Sequence, residues 1–272
     1  MDWRLAVSDA NAADLRLLID AARAAGAELR ARFGTTQQRW AKENKSPVTE
    51  ADYAANAILK ETLRSARPDY GWLSEEDVDG PERLDAHRVF IVDPLDGTRS
   101  FIHGRDDFCT ALAIVEDGVA IAGAIYRPMT DHIYAGGPGL GAQLNGAPIA
   151  PSTQDAIENC IMVGDHDLSR SKKWREFWPP VRVRAVHAFQ LRLAFIASSE
   201  GDATIGFGAK WDWDVAAGAA IITGAGGRIT DPWGRALKFN HKSAKTPGVV
   251  ASGARLHPLL IKHAASLPFL NA

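Results

Sequence analysis

Four short runs, Cys109 to Val115, Val119 to Tyr126, His132 to Ala135 and Leu140 to Leu144, follow one another with only turn residues between them. The separators are Glu116-Asp117-Gly118, Arg127-Pro128-Met129-Thr130 and Gly136-Gly137-Pro138-Gly139, and Asn145-Gly146 closes the series. Each run is apolar or alternating, as a strand requires, and gaps this tight leave no room for crossover helices. Such strands pair with their sequence neighbours as an antiparallel meander. Two amphipathic patterns come first. Residues from about 11 to 33 place Leu15, Leu18, Ile19, Ala22, Ala25, Gly26 and Leu29 near one stripe, and Gly34 suits a C-cap. Thr49-Glu50-Ala51-Asp52 opens a second helix carrying Ala55, Ile58, Leu59 and Leu63, with the spacing of a capping box. Two helices and a meander make an α+β first half.

Past a Pro-rich boundary at about 146–158 the pattern changes. Ile161 to Val163, Val181 to Val186 and Ala203 to Phe207 read as strands, and Phe189 to Ser199 reads as a helix. Asp214 precedes a run of small residues, Ala216, Ala217, Gly218, Ala219 and Ala220, that predicts a helix packed very close to a neighbour. Arg228 to Thr230 and Val249 to Ala251 read as strands, and Leu256 to Ala265 as a final helix. This alternation predicts an α/β second half, so the expected domains are 1–148 and 149–272.

A formal net charge of −2 argues against a nucleic-acid-binding surface. No apolar run reaches the roughly 18 residues that a membrane span needs. The N-terminal stretch, with Asp2, Arg4, Asp9 and Asp14, does not read as a signal peptide. Cys109 and Cys160 each stand alone in an apolar run and read as reduced core residues of a cytoplasmic protein.

Chemistry concentrates in Ile91-Val92-Asp93-Pro94-Leu95-Asp96-Gly97-Thr98. A buried strand runs into two carboxylates three residues apart. Pro94, which has no N–H, predicts that the strand stops there. Gly97 allows a close backbone approach, and a helical turn beyond it would aim free N–H groups at an anion. Acidic groups gather hard cations, and cations with amides gather phosphate, so the octet reads as a metal-assisted phosphoryl site or as an ordinary strand-to-helix turn. Asp52 reads equally as a helix cap or an active-site acid. Glu75-Glu76-Asp77 follows a short strand end, and three adjacent carboxylates repel unless a cation neutralises them. Lys42 and Lys45 lie in a polar loop, solvated or reserved for a ligand.

Taken together and in order, Thr49-Glu50-Ala51-Asp52, Glu75-Glu76, Asp93-Pro94-Leu95-Asp96-Gly97-Thr98, Trp213-Asp214-Val215-Ala216-Ala217-Gly218 and Ala225-Gly226-Gly227 resemble the motifs of the inositol monophosphatase family, from about Lys42 to Gly253. The resemblance implies a layered αβαβα sandwich of the inositol monophosphatase and fructose-1,6-bisphosphatase type. It implies a lithium-sensitive, Mg²⁺-dependent hydrolase of small phosphate monoesters. It implies two or three Mg²⁺ ions, held by Glu75, Asp93, the Leu95 carbonyl, Asp96 and Asp214, with Asp93 bridging. Thr98 and Asp52 would activate the attacking water, with Glu75 counted among the catalytic groups and Glu76 behind it. Gly97 and Thr98 amides would meet the phosphate. A cytoplasmic homodimer acting on a small phosphorylated substrate is the expectation.

The substrate is read from differences. Family members acting on inositol phosphate carry a Glu six residues before the Trp of Trp-Asp-Val, and that place is Phe207. Phe207-Gly208 is similar to the 3′(2′),5′-bisphosphate nucleotidase branch, where an aromatic ring could stack on adenine. Arg99 and Lys210 would hold a second phosphate. The expected substrate is therefore 3′-phosphoadenosine 5′-phosphate, with inositol 1-phosphate or histidinol phosphate as alternatives and a non-catalytic binding protein as the remaining one. His187-Ala188-Phe189-Gln190 departs from the small Gly-Ser/Thr-Ala run usual in the family and is expected to reshape the pocket.

Overall fold

The computed structural model describes residues 3–42, 46–165, 167–168 and 172–267. In chain order the first half holds α1 (Trp3–Arg32), β1 (Arg39–Ala41), β2 (Pro47–Thr49), α2 (Glu50–Ala66), β3 (Gly71–Ser74), β4 (Arg88–Asp96), α3 (Thr98–Ile102), β5 (Cys109–Glu116), β6 (Val119–Arg127), β7 (His132–Gly137), β8 (Gly141–Leu144) and β9 (Ala147–Pro148). The second holds β10 (Ile161–Gly164), α4 (Lys172–Phe177), β11 (Arg182–Ala185), α5 (Phe189–Ala197), β12 (Ala203–Gly206), β13 (Lys210–Trp211), α6 (Ala216–Gly224), β14 (Arg228–Thr230), β15 (Lys245–Thr246), β16 (Val249–Ser252) and α7 (His257–Ala265).

The meander forms as expected. Strands β3 to β9 lie side by side in sequence order in one seven-stranded sheet. All its pairs are antiparallel except β3 with β4. A second sheet has the order β11-β10-β12-β16-β14. Side-chain alternation along the strands sorts these sheets into layers. On β4, Phe90, Val92 and Leu95 face one core, with Leu18, Ala22, Leu29, Leu59 and Leu63 of α1 and α2. Val89 and Ile91 face the other, with Leu191 and Leu193 of α5 and Ala217 and Ile221 of α6. That core continues to Val163, Val249 and Ala251 of the second sheet. The far face of the second sheet packs Met162, Ala203 and Val250 against Trp178, Leu256 and Leu260. The result is an αβαβα sandwich. β4 is covered on both sides, which is why its sequence reads as an unbroken apolar run. The small-residue face of α6 works as expected: a Cβ on Gly218 would fall 2.4 Å from the Leu193 side chain.

Three expectations change. Helix α1 starts at Trp3, well before residue 11, because extending a formed helix through good helix formers such as Arg4, Leu5 and Ala6 costs little. β4 does not stop at Pro94; it continues to Asp96 across a register shift between Asp93 and Asp96. The shift absorbs the missing N–H, and the Pro94 carbonyl accepts from Thr110 Oγ1 at 2.9 Å. The Lys42–Pro47 loop joins a hairpin, β1–β2, that has no pattern of its own; Lys45 lies outside the described residues. Both cysteines are buried and free. No helix among the described residues is long and apolar enough to cross a membrane.

Candidate active site

The C-terminal end of β4 gathers the acids. Asp93 follows Val89 and Ile91 onto the face that meets α5 and α6. It is buried, and its Oδ1 accepts from the Leu95 N–H at 3.1 Å. Burial and the charges of Glu75, Asp96 and Asp214 push its carboxyl well above the usual range. Glu75 extends from β3, its N–H bonded to the Val92 carbonyl at 3.1 Å. Asp96 ends β4 and projects to the start of α5. That helix has no side-chain cap from Ala188, so its free N–H groups turn to Asp96, with the Gln190 N–H 2.5 Å from Oδ2. Burial, then Asp214, raise the Asp96 carboxyl. Asp214 precedes α6; its Oδ2 accepts from the Trp211 N–H at 3.0 Å, and burial and Glu75 lift it to about 6.

Asp52 both caps α2 and faces Thr98. Its Oδ2 accepts from the Thr49 N–H at 2.8 Å and the Thr49 hydroxyl at 2.7 Å, closing the capping box of α2. Its Oδ1 lies 3.1 Å from Thr98 Oγ1. That hydroxyl is also 3.1 Å from the Leu95 carbonyl, so its one proton has two acceptors. Burial raises Asp52 to about 6 against the pull of Thr49. Gly97 must be glycine: its φ is +95°, and a Cβ would lie 2.9 Å from the Asp107 carbonyl and 3.1 Å from Ala188 Cβ. Thr98 then opens the short helix α3.

The acidic triplet divides. Glu75 and Glu76 share Lys42, whose Nζ is 2.8 and 2.6 Å from their Oε1 atoms. Burial lifts Glu76 to about 7 even with Lys42 beside it. Asp77 turns away to Trp72 Nε1 and Lys60. The loop lysine was visible in the sequence as a candidate, but its two partners were not.

The proposed specificity residues separate. Phe207, just past the end of β12, sits with Ala203 and Ile205 in the outer core and packs with Trp178, 6.3 Å between ring centroids. That is the α4–α7 layer, not the acid cluster. Arg99 is exposed on α3. Lys210 does reach the site. Gly206 has no side chain, and Lys210 Cε lies 3.0 Å from where its Cβ would be. The Lys210 ammonium sits 5.2 Å from the centroid of Phe189, beside the end of α5 that binds Asp96. In the departing stretch, the His187 N–H bonds Asp107 at 2.8 Å, which presses Ala188 onto the Gly97 turn. For Gln190 the sequence offers one signal beyond bulk, a lone amide in a helix that is apolar but for Arg192.

Among the described residues no three His, Cys, Asp or Glu side chains are drawn closely enough together to hold an ion. Each acid instead takes its own partner: Glu75 takes Lys42, Asp96 the Gln190 amide and Asp214 the Trp211 amide. The donor set still fits a hard divalent cation. It consists of carboxylates and a carbonyl, all oxygen, and burial together with mutual repulsion raises the proton affinity of Asp93, Asp96 and Asp214.

A sequence profile described as the inositol monophosphatase family matches residues 11–268, and the chain belongs to that family. It is thus a phosphatase. An inositol-1-monophosphatase of Rhizobium meliloti is 33% identical over 240 residues, covering 83% of this chain and 88% of the relative. The 3′(2′),5′-bisphosphate nucleotidase CysQ of Escherichia coli is 31% identical, covering 76% and 85%. The solved structure of the extragenic suppressor protein suhB from Bartonella henselae superposes with a TM-score of 0.81 at 27% identity, covering 93% of this chain and 99% of that one.

Proposed function

We propose that the protein is a Mg²⁺-dependent phosphomonoesterase whose preferred substrate carries a second anionic group, with 3′-phosphoadenosine 5′-phosphate as the first candidate. The observation that carries the reading is that Glu75, Asp96 and Asp214, from β3, β4 and the approach to α6, all bring their charges to bear on buried Asp93, beside the Thr98–Asp52 pair. Glu75, Asp93, the Leu95 carbonyl, Asp96 and Asp214 would hold two or three ions. Bound Mg²⁺ supplies charge neutralisation and Lewis acidity at the phosphoryl oxygens. Thr98 Oγ1 orients the attacking water, and Asp52 Oδ1 is the acceptor to which its proton is passed. The Gly97 and Thr98 amides face the phosphate.

The second-anion reading rests on Lys210 and no longer on Phe207. An ammonium over Gly206 and Phe189 suits a phosphate or carboxylate; it cannot accept hydrogen bonds from a polyol. The inositol phosphate reading remains the second one, supported by the Rhizobium meliloti relative. Phosphate release with Mg²⁺ is measured in parallel on 3′-phosphoadenosine 5′-phosphate, inositol 1-phosphate and histidinol phosphate. The proposal expects the bisphosphate to lead by about a hundredfold in kcat/KM, about 2.7 kcal/mol, and Lys210→Met to erase most of that lead. A lead for inositol 1-phosphate that Lys210→Met leaves alone sinks it. A homodimer is part of the proposal, checked by light scattering.

A further inference from the structure

Gln190 is fully buried in the first turn of α5, where every neighbour along the helix but Arg192 is apolar. Its three polar groups converge on the two halves of one task. The backbone N–H holds Asp96 Oδ2 at 2.5 Å. The side-chain Nε2 donates to the Trp213 carbonyl at 2.7 Å, and Oε1 accepts from the Gly218 N–H at 2.9 Å. Trp213 immediately precedes Asp214, and Gly218 lies in the first turn of α6 just after it. The peptide that carries Asp214 is therefore clamped on both sides to the residue whose own N–H holds Asp96.

We propose that Gln190 is a positioning residue that sets the separation of Asp96 and Asp214 and thereby the affinity of the site for a divalent cation. This rests on the reading of those two acids as metal ligands. Two carboxylates that must share one ion repel until it arrives, and a backbone free to yield would let them drift apart. An amide with donor and acceptor both satisfied inside a packed core resists that drift, so less ordering is left for the ion to do. The alternative is that Gln190 only fastens α5 to α6. Leu193 does that too, since its side chain fills the space over Gly218.

The test compares Gln190→Leu, Gln190→Glu and Leu193→Ala with the wild type. Each is melted across a Mg²⁺ titration from an EDTA baseline, and Ca²⁺ binding is followed by calorimetry. Gln190→Leu is expected to raise the Mg²⁺ concentration for half-maximal stabilisation at least about tenfold, about 1.4 kcal/mol. Gln190→Glu, which keeps the acceptor for Gly218 and loses the donor to Trp213, is expected to shift in the same direction. Leu193→Ala is expected to melt earlier in EDTA with its Mg²⁺ midpoint within about twofold of wild type. A wild-type midpoint in Gln190→Leu overturns the proposal, as does an equal loss of affinity in Leu193→Ala. Should Gln190→Leu not fold, the same criterion applies to Gln190→Glu. A wild type that responds to neither cation overturns the metal reading itself, and the proposal with it.

Discussion

The two ends of the acid cluster are held by opposite means. At the β3 end, Glu75 and Glu76 are neutralised by the long side chain of Lys42. At the α5 end, Asp96 and Asp214 are held by backbone N–H groups, which carry no net charge and cannot swing away. The β3 end is thus balanced by a side-chain cation that a metal held by Glu75 would have to displace. The α5 end is shaped in advance but left without a paired counter-charge. Affinity at the first end is a competition; at the second it depends on geometry already built.

The largest test removes the acids. Asp93→Asn and Asp214→Asn are expected to lower kcat/KM for phosphate release by about a thousandfold, about 4 kcal/mol of lost transition-state stabilisation. In EDTA the same variants should melt later than wild type, because a neutral amide relieves both the burial cost and the repulsion that raise the two carboxyls. Earlier melting would break the view of this end as built but strained.

Mg²⁺ itself comes next. At about a hundred times its dissociation constant it should add about 2.7 kcal/mol to the wild type, read as a rise of several degrees in Tm. Lys42→Met sharpens the contrast. In EDTA it should cost on the order of 2 kcal/mol, since Glu75 and Glu76 lose their counter-charge. Its Mg²⁺ midpoint should fall, because no ammonium then competes. An unchanged midpoint would mean that the two ends do not differ in kind.

The pH dependence follows from the raised carboxyls. Asp52 and Asp214 stand at about 6 and Glu76 at about 7, above their ordinary values of 3.8 and 4.5. The folded state therefore binds more protons than the unfolded chain between about pH 4 and 7, so their contribution is present at low pH and lost as pH rises through the folded pKa values. In EDTA, Tm should rise as pH is lowered from 7.5 to 5.5. In excess Mg²⁺ the trend should flatten or reverse, since protons then compete with the ion. The smallest effect is expected from Phe207→Leu: under about 1.5 kcal/mol of stability and KM within about twofold. A large rise in KM would return Phe207 to the substrate.

Much of this layout was legible beforehand. Strand period and turn residues located β5 to β8, and the unbroken run at Val89–Val92 announced a strand covered on both faces. What escaped notice has physical reasons. β1, β13 and β15 are two or three residues long, too short for any period to show. Pro94 looked like an end because the register shift that accommodates it is a property of the β4–β5 pair, not of either strand. Phe207 was assigned by its distance from Trp213, but only alternation with Ala203 and Ile205 says which face it takes. Asp52 reads in the sequence as cap or active-site acid; in the fold one oxygen caps α2 and the other faces Thr98.

The acids are also far apart along the chain, and this bears on how the protein is made. Glu75, Asp93 and Asp96 leave the ribosome early, whereas Asp214 emerges roughly ten seconds later at synthesis rates of about 5–20 residues per second. Until α6 docks on the sheet begun by β3 and β4, a nascent chain lacks one member of the proposed ligand set. A truncated product ending before Asp214 is therefore expected to release no phosphate, because one of the proposed ligands never joins the other three.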